Sequence, residues 1–300
     1  MNLGVGLPTA GSTASPEAIA KLATGAERIG LASVWTFERQ LLPTEPTAIG
    51  GSSRLNLPRV YASVYDPLET LSYVAAQTST IRLGTSVVNA LFQPPVVLAR
   101  RIATLDQLSG GRAVIALGQG WMSQEFETVG VPASRRGAGF EEHIEAMRAA
   151  WGPDPVRFEG RFYRFAESEI GPKPVQPGGP PLLAGANATA AITRAARMGL
   201  GLNPMLRSWE SLEADVRTFR QAAQEAGHDP MSLPIVVRVN GSITDAAKPY
   251  DKRSPLTGSV EQVAEDLPRL RALEVDEVFW SMSTPPAQQL DALQRLLAAG

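Results

Sequence analysis

The 300-residue chain has no cysteine and only two histidines, His143 and His228. Without cysteine there is no disulfide, no thiolate nucleophile and no thiolate-bound metal. The two histidines are far apart and fit neither HxxxH nor HExxH, so no histidine-built zinc site is expected. Charge of either sign is almost balanced, with 28 Lys and Arg against 30 Asp and Glu and a formal net charge of −2. That balance exerts no general pull toward nucleic acid or an anionic membrane. No run of about 18 apolar residues occurs, which argues against a transmembrane helix. The start, MNLGVGLPTAG, lacks the basic and apolar regions of a signal peptide. These absences lead to the expectation of a cytoplasmic protein whose partner is a small molecule rather than nucleic acid or membrane.

What is present is core material: 44% hydrophobic and 19% charged residues describe a globular protein, although length alone leaves one or two domains open. Short apolar runs alternate with helical stretches. NLGVGL (2–7), ASVWTF (32–37), IRLGTSVV (81–88) and RAVIALG (112–118) read as four strands. PLLAGA (181–186), GLGLNP (199–204), LPIVVRVNGSI (233–243) and VDEVFWSMS (275–283) read as four more. Between them lie helices opened by Ser15-Pro16-Glu17, Asp66-Pro67 and Pro94-Pro95, and others at about 138–151 and after residues 187, 208, 259 and 285. Pro268 is expected to kink or break its helix. The connection 38–65 has no clear periodicity, and 152–180 interrupts the pattern with a hairpin, RFEGRFYRF, turning at Glu159-Gly160.

Eight such units with an insertion after the fourth strand predict an α/β fold, a (β/α)8 TIM barrel. A doubly wound dinucleotide fold would want GxGxxG after the first strand, and Gly4-Val5-Gly6-Leu7-Pro8 has no third glycine. A barrel keeps its active site at the C-terminal ends of its strands. Those ends here carry many glycines and neutral hydrogen-bonding residues and a single carboxylate, Glu38, so two-carboxylate glycoside hydrolysis is a poor match. Gly118-Gln119-Gly120 lacks the third glycine of a phosphate loop, since Ser123 stands in its place. Trp121, just beyond, is either core or the wall of a ligand pocket. Gly185-Ala186-Asn187-Ala188-Thr189, at a strand-to-helix junction, is either a phosphate cradle or an ordinary turn with Asn187 as helix cap.

The run IRLGTSVV, and then QPPVVLARRIATLDQLSGGRAVIALGQGW, resembles the luciferase-like monooxygenase superfamily of flavin- and deazaflavin-dependent oxidoreductases. ASVWTFER, VRFEGRFYRF, PPLLAGANATAAITRAARMG and TGSVEQVAEDLPRLRALEVDEVFW match further segments in the same order. The resemblance covers nearly the whole chain and so implies one domain over residues 1–300. It implies a flat flavin-type ring at the barrel mouth, supported by a bulge at the end of strand three with a non-prolyl cis peptide, which falls at Ser86–Val87. It implies that the insertion covers the site, that the Gly185–Asn187 turn holds the cofactor phosphate, and that the enzyme forms homodimers. The cofactor-binding residues then expected are Thr85, Ser86, Val87, Asn89, Gly118, Gln119, Gly120, Gly185, Ala186 and Asn187, with Gln119 at the ring's polar edge.

Three departures from the family pattern stand out. Asp-His, common at the end of strand two, is Glu38-Arg39; a catalytic glutamate of the sugar-phosphate dehydrogenases is replaced by Trp121; His-Pro or Asn-Pro after strand three is Gln93-Pro94. Glu38, Arg39 and Trp121 are therefore the candidate catalytic residues. Glu38 contacts cofactor or substrate, or is a surface acid; Arg39 neutralises an anion or faces solvent. His143, among Glu141, Glu142 and Glu145, reads as structural or solvated. The pattern resembles the members using coenzyme F420 most closely, which implies hydride transfer to or from a small organic substrate. An FMN-dependent monooxygenase and a non-catalytic flavin or deazaflavin binder are the alternatives.

Overall fold

The apolar runs pair as parallel strands because helices cover their outer face and the strands' own side chains fill the inside. The computed structural model describes residues 1–48 and 54–299. Eight strands make one sheet: β1 (Asn2–Gly6), β2 (Ser33–Thr36), β3 (Arg82–Asn89), β4 (Ala113–Gly118), β5 (Leu182–Ala184), β6 (Gly201–Leu202), β7 (Val236–Asn240) and β8 (Glu277–Ser281). The order is β6-β5-β4-β3-β2-β1-β8-β7. Bridges from Leu202 to Ile235 and from Met205 to Arg238 join β6 to β7 and close the barrel. The predicted TIM barrel is the observed fold.

Nine α-helices are described: α1 (Pro16–Arg28), α2 (Pro67–Ala75), α3 (Pro95–Ser109), α4 (Ser123–Thr128), α5 (Ala138–Trp151), α6 (Thr189–Arg197), α7 (Trp209–Glu225), α8 (Val260–Ala272) and α9 (Pro286–Ala299). Their starts follow sequence chemistry. Ser15 Oγ accepts from the Ala18 amide at 3.1 Å and Asp66 Oδ1 from the Leu68 amide at 3.1 Å, each followed by proline at the first helical position. Pro268 does not break α8, which runs on to Ala272; its ring lies on the exposed face. In the connection 38–65, Thr47–Ala48 pairs with Arg54–Leu55; positions 49–53 lie outside the described residues.

The insertion hairpin pairs Val156–Glu159 with Arg164–Ser168, so its turn spans 160–163 rather than sitting at Glu159-Gly160. The reason is Glu142 on α5, whose carboxylate accepts from the successive amides of Arg161, Phe162 and Tyr163 at 3.0, 2.6 and 2.7 Å. This pins the hairpin to α5. No helix among the described residues is long and apolar enough to cross a membrane.

The barrel interior is layered. At the strands' N-terminal end Glu277, buried, accepts hydrogen bonds from Ser33 and from Trp35 Nε1 and pairs with Arg82. Above it the Trp35 and Phe279 rings stack at 4.7 Å, within an apolar cluster that includes Val114, Ala116, Leu183 and Val236. Gly84 makes room for this stack: a Cβ there would lie 2.3 Å from Trp35 Cε3. The Trp35 ring cannot yield, since Phe279 blocks one face and Glu277 holds its nitrogen. Gly84→Ala should therefore lower stability by roughly 1–3 kcal/mol, read as an earlier urea unfolding midpoint. An unchanged midpoint would show that the interior layer is not tightly packed there.

Candidate active site

The polar upper layer of the barrel begins where β3 carries one residue too many. Ser86 pairs with Ala116 and Val88 with Leu117, leaving Val87 as the bulged residue. The Ser86–Val87 peptide is cis, at the bond the family resemblance picks out. The Val87 side chain occupies a notch left by two glycines: a Cβ on Gly118 would come within 2.5 Å of its Cγ2, and one on Gly185 within 2.3 Å of its Cγ1. Around the bulge, Ser86 Oγ donates to Asn203 Oδ1 at 2.6 Å, and Asn203 Nδ2 donates to the Val236 carbonyl at 2.7 Å. Arg238 Nη1 donates to the Ser86 carbonyl. The Glu38 amide donates to the Val87 carbonyl at 3.0 Å.

Glu38 is buried, 5% exposed, which excludes the surface-acid alternative. Its Oε2 accepts from the amide and side chain of Asn89 at 2.6 and 3.1 Å, and its Oε1 from Gln40 Nε2 at 2.8 Å. Burial pushes its carboxyl up to about 7, against the lowering effect of the Asn89 hydrogen bonds and with help from the charges of Asp66 and Glu125. Arg39 is not free to face solvent: Nη1 pairs with buried Glu125 at 2.8 Å, and its guanidinium lies 5.0 and 5.2 Å from the Tyr61 and Trp121 ring centres. Trp121 is 40% exposed and stands at the rim, so it is not core.

These groups enclose a cavity of about 350 Å³ whose walls include Glu38, Arg39, Tyr61, Val87, Asn89 and Trp121. Ser86, Gly185 and Asn187 also border it. The other expected cofactor residues are not among its described lining, and each has a visible occupation. Thr85 Oγ1 bonds the Ala116 carbonyl at 2.9 Å, and Ala186 is buried. Gln119 Oε1 accepts from the Gly137 amide at 2.7 Å, tying the β4 loop to the start of α5. Gly118 backs Val87, and Gly120, with φ +72°, leaves room for the Phe126 and Phe92 rings. None of the insertion residues is among the described lining of this cavity.

Asn187 does not cap α6. The cap position is Ala188, which offers no side-chain acceptor, while Asn187 exchanges bonds with the Met205 backbone at 3.0 and 3.3 Å. The exposed first turn of α6 therefore opens beside the mouth with unpaired amide groups. His143 is buried rather than solvated, bonded to the Gln93 carbonyl at 2.9 Å and pushed down to about 4 by burial. Sequence reasoning missed Tyr61, Met205 and Arg238, which line the mouth. Arg238 had a signal: a lone charge inside the apolar run VVRVN.

A family model described as luciferase-like monooxygenase matches residues 1–274. The chain belongs to this family. An uncharacterised protein of Mycobacterium tuberculosis is 32% identical over 100% of this chain and 98% of its own length. An F420-dependent glucose-6-phosphate dehydrogenase of Amycolatopsis mediterranei is 27% identical over 99% of this chain and 90% of its own. An FMNH2-dependent dimethylsulfone monooxygenase of Pseudomonas putida is 34% identical over 45% and 38% respectively. Among solved structures, a monooxygenase of Streptomyces bottropensis superposes with a TM-score of 0.81 at 22% identity, covering 99% of both chains. An F420-dependent tetrahydromethanopterin reductase of Methanopyrus kandleri gives 0.78 at 18%, covering 98% of this chain and 97% of its own. At those identities the two structures speak for the fold alone.

The raised carboxyl of Glu38 has a consequence for stability. Its folded value, about 7, exceeds the ordinary 4.5, so the folded state holds a proton that the unfolded chain releases. Stability tied to this proton is fully present below about pH 4.5 and is lost as pH rises to about 7. Glu38→Gln abolishes that loss. The stability of the variant relative to the wild type should climb by roughly 3 kcal/mol across this window and stay level above it, as measured by denaturant unfolding at each pH. A difference that does not change with pH would place the Glu38 titration at its ordinary value.

Proposed function

We propose that this chain is an F420-dependent oxidoreductase that transfers hydride between the deazaflavin and a small organic substrate at the C-terminal mouth of the barrel. The observation that carries the reading is the bulged Val87 projecting between Gly118 and Gly185 into a walled cavity beside the uncapped start of α6. An apolar knob is what a flat ring needs as a support on one face. An open helix N-terminus suits the phosphate of the same cofactor. When bound, the deazaflavin supplies the carbon that gives or takes hydride. Everything else falls to the chain. Val87 supports the ring, Asn89 offers an amide, and Gly185 and Asn187 bring the phosphate to α6. Thr85, Ser86, Gly118, Gln119, Gly120 and Ala186 keep the bulge and its loops in place. Glu38, poised near neutral pH, holds or releases a proton at its carboxyl oxygen. Trp121 and Tyr61 wall off water, and Arg39, held by Glu125, fixes both rings.

F420 is favoured over FMN by GTSVV with GQGW and by the end-to-end match to the F420-dependent dehydrogenase. An FMN-dependent monooxygenase is the second reading, supported by the FMNH2-dependent relative. Titration of the purified protein with oxidised F420 and with FMN, followed by cofactor fluorescence, decides between them. F420 should bind at micromolar concentration and more tightly than FMN; if neither binds, the proposal falls. Ala188→Asp would cap α6 but place a negative charge where the phosphate is expected. It should weaken the bound cofactor by about tenfold, equivalent to ~1.4 kcal/mol, while leaving the unfolding midpoint intact or higher. Unaltered affinity would move the phosphate away from α6.

A further inference from the structure

Other partly buried arginines around the barrel are held by carboxylates or by several carbonyls. Arg39 pairs with Glu125 and Arg253 with Asp266. Arg112 spends its guanidinium on Thr78 Oγ1 and on the carbonyls of Ala75, Thr78, Ile81 and Ser109. Arg238 differs. It reaches the barrel mouth from β7, donates through Nη1 to the Ser86 carbonyl and through Nε to Asn240 Oδ1 at 2.9 Å, and lies 5.6 Å from the Phe37 ring centre. Among the described residues it has no carboxylate partner, and its Nη2 makes no hydrogen bond. Burial disfavours its charged form. The guanidinium is half-buried at the mouth, and a partly desolvated cation without a counter-ion gains from an incoming anion.

Arg238 also stands on a boundary. Together with Phe37, Tyr61 and Asn240 it lines both the cavity beside Val87 and a second one of about 460 Å³ over the ends of β1, β7 and β8. The second cavity is bordered by Ser242, Ser281 and Ser283 and by Thr9, and Arg238 is the only charged residue described in its wall. Thr9 is fully buried, yet its hydroxyl has no partner. Thr9, with its buried and unpartnered hydroxyl, and Arg238, with its Nη2 unbonded and no carboxylate beside it, border one cavity and leave donors there without an acceptor. The first cavity, by contrast, carries the Glu38 carboxyl, which repels an anion once ionised.

We propose that the second cavity takes the organic substrate and that this substrate is a small organic acid, whose carboxylate or sulfonate is paired by Arg238 and hydrogen-bonded by Thr9. The word substrate rests on the oxidoreductase reading; the anion site does not. The division of labour is then spatial. The ring lies on the Val87 side, the anionic head lies on the Thr9 side, and the Arg238–Phe37–Tyr61 boundary is where they meet.

Calorimetric titration in a low-salt buffer of weakly binding ions tests this, with propionate, propane-1-sulfonate and neutral propionamide added to the cofactor-free and the cofactor-loaded protein. At least one of the two anions should bind about tenfold or more tightly than propionamide, and the difference between them names the head group. Arg238→Met should erase the preference and Arg238→Lys should retain part of it. Because Arg238 also holds the Ser86 carbonyl, a second variant is needed. Thr13→Trp, at the exposed rim of the second cavity, should weaken the anion and leave cofactor affinity as it was. Anions and propionamide binding alike, or no anion binding to a protein that does bind F420 or FMN, would overturn the proposal. So would Arg238→Met weakening only the cofactor, which would make the arginine part of the ring site. Arg238-dependent anion binding in a protein that binds neither cofactor would keep the anion site and remove the oxidoreductase reading.

Discussion

One extra residue in β3 organises the barrel mouth. A bulge pushes Val87 out of register, and the strand stays paired only because the neighbours on the same side have given up their side chains at Gly118 and Gly185. The displaced Ser86 carbonyl then needs a donor, which Arg238 brings across the barrel, and the Ser86 hydroxyl is taken by Asn203. The Val87 carbonyl is taken by the amide of Glu38, whose carboxylate returns to bind Asn89 at the far end of the same bulge. Residues from β2, β3, β6 and β7 are thus fixed by a single irregularity. A residue held by several strands at once keeps its place more firmly than one on a free loop.

The same economy explains why the segment that betrays the family does little at the site. In ATLDQLSGGR, Asp106 is buried and accepts from the Val175 and Gln176 amides at 2.8 and 3.0 Å, anchoring the return of the insertion. Arg112, at the N-terminal end of β4, collects the last carbonyls around α2. These are scaffold devices at the foot of the barrel, far from the strand ends where ligands bind. They are recognisable because a buried carboxylate or guanidinium must find every partner, which fixes both its identity and its spacing to neighbours. They therefore speak strongly for the fold and weakly for the reaction.

The strands and most helices could be read from sequence because buried parallel strands and capped helices impose local patterns: apolar runs, Ser or Asp before Pro, glycine after the last turn. The mouth was read less well, for reasons that are not local. Gly118 and Gly120 suggested space for a ligand, but the space is taken by Val87 from another strand and by Phe92 and Phe126. Gln119 offered an amide, but its Oε1 accepts from the Gly137 amide. Tyr61 comes from a connection without periodicity and reaches the site only by folding back over Arg39. Each of these outcomes depends on a partner outside the local pattern, from six residues away at Phe126 to 18 at Gly137 and beyond. The cis bond between Ser86 and Val87 was assigned from the motif rather than from any local propensity.

Replacing the family's Asp-His by Glu38-Arg39 changes the electrostatics of the mouth more than its shape. A histidine there would carry a proton that titrates near neutral pH. Here the arginine at that place is engaged by Glu125, and the acid beside it is pushed up to about 7 by burial. The proton-handling capacity passes from a base that is neutral when it gives up its proton to a carboxyl that is neutral when it holds one. Well below pH 7 the Val87 side of the mouth then carries little negative charge from Glu38, and above it the carboxyl is ionised. Because Glu38 and Arg238 border one cavity, ionisation of Glu38 as pH rises through about 7 offsets part of the Arg238 charge. The two residues at the end of β2 thus bear on both the proton inventory and the charge that an incoming ligand meets.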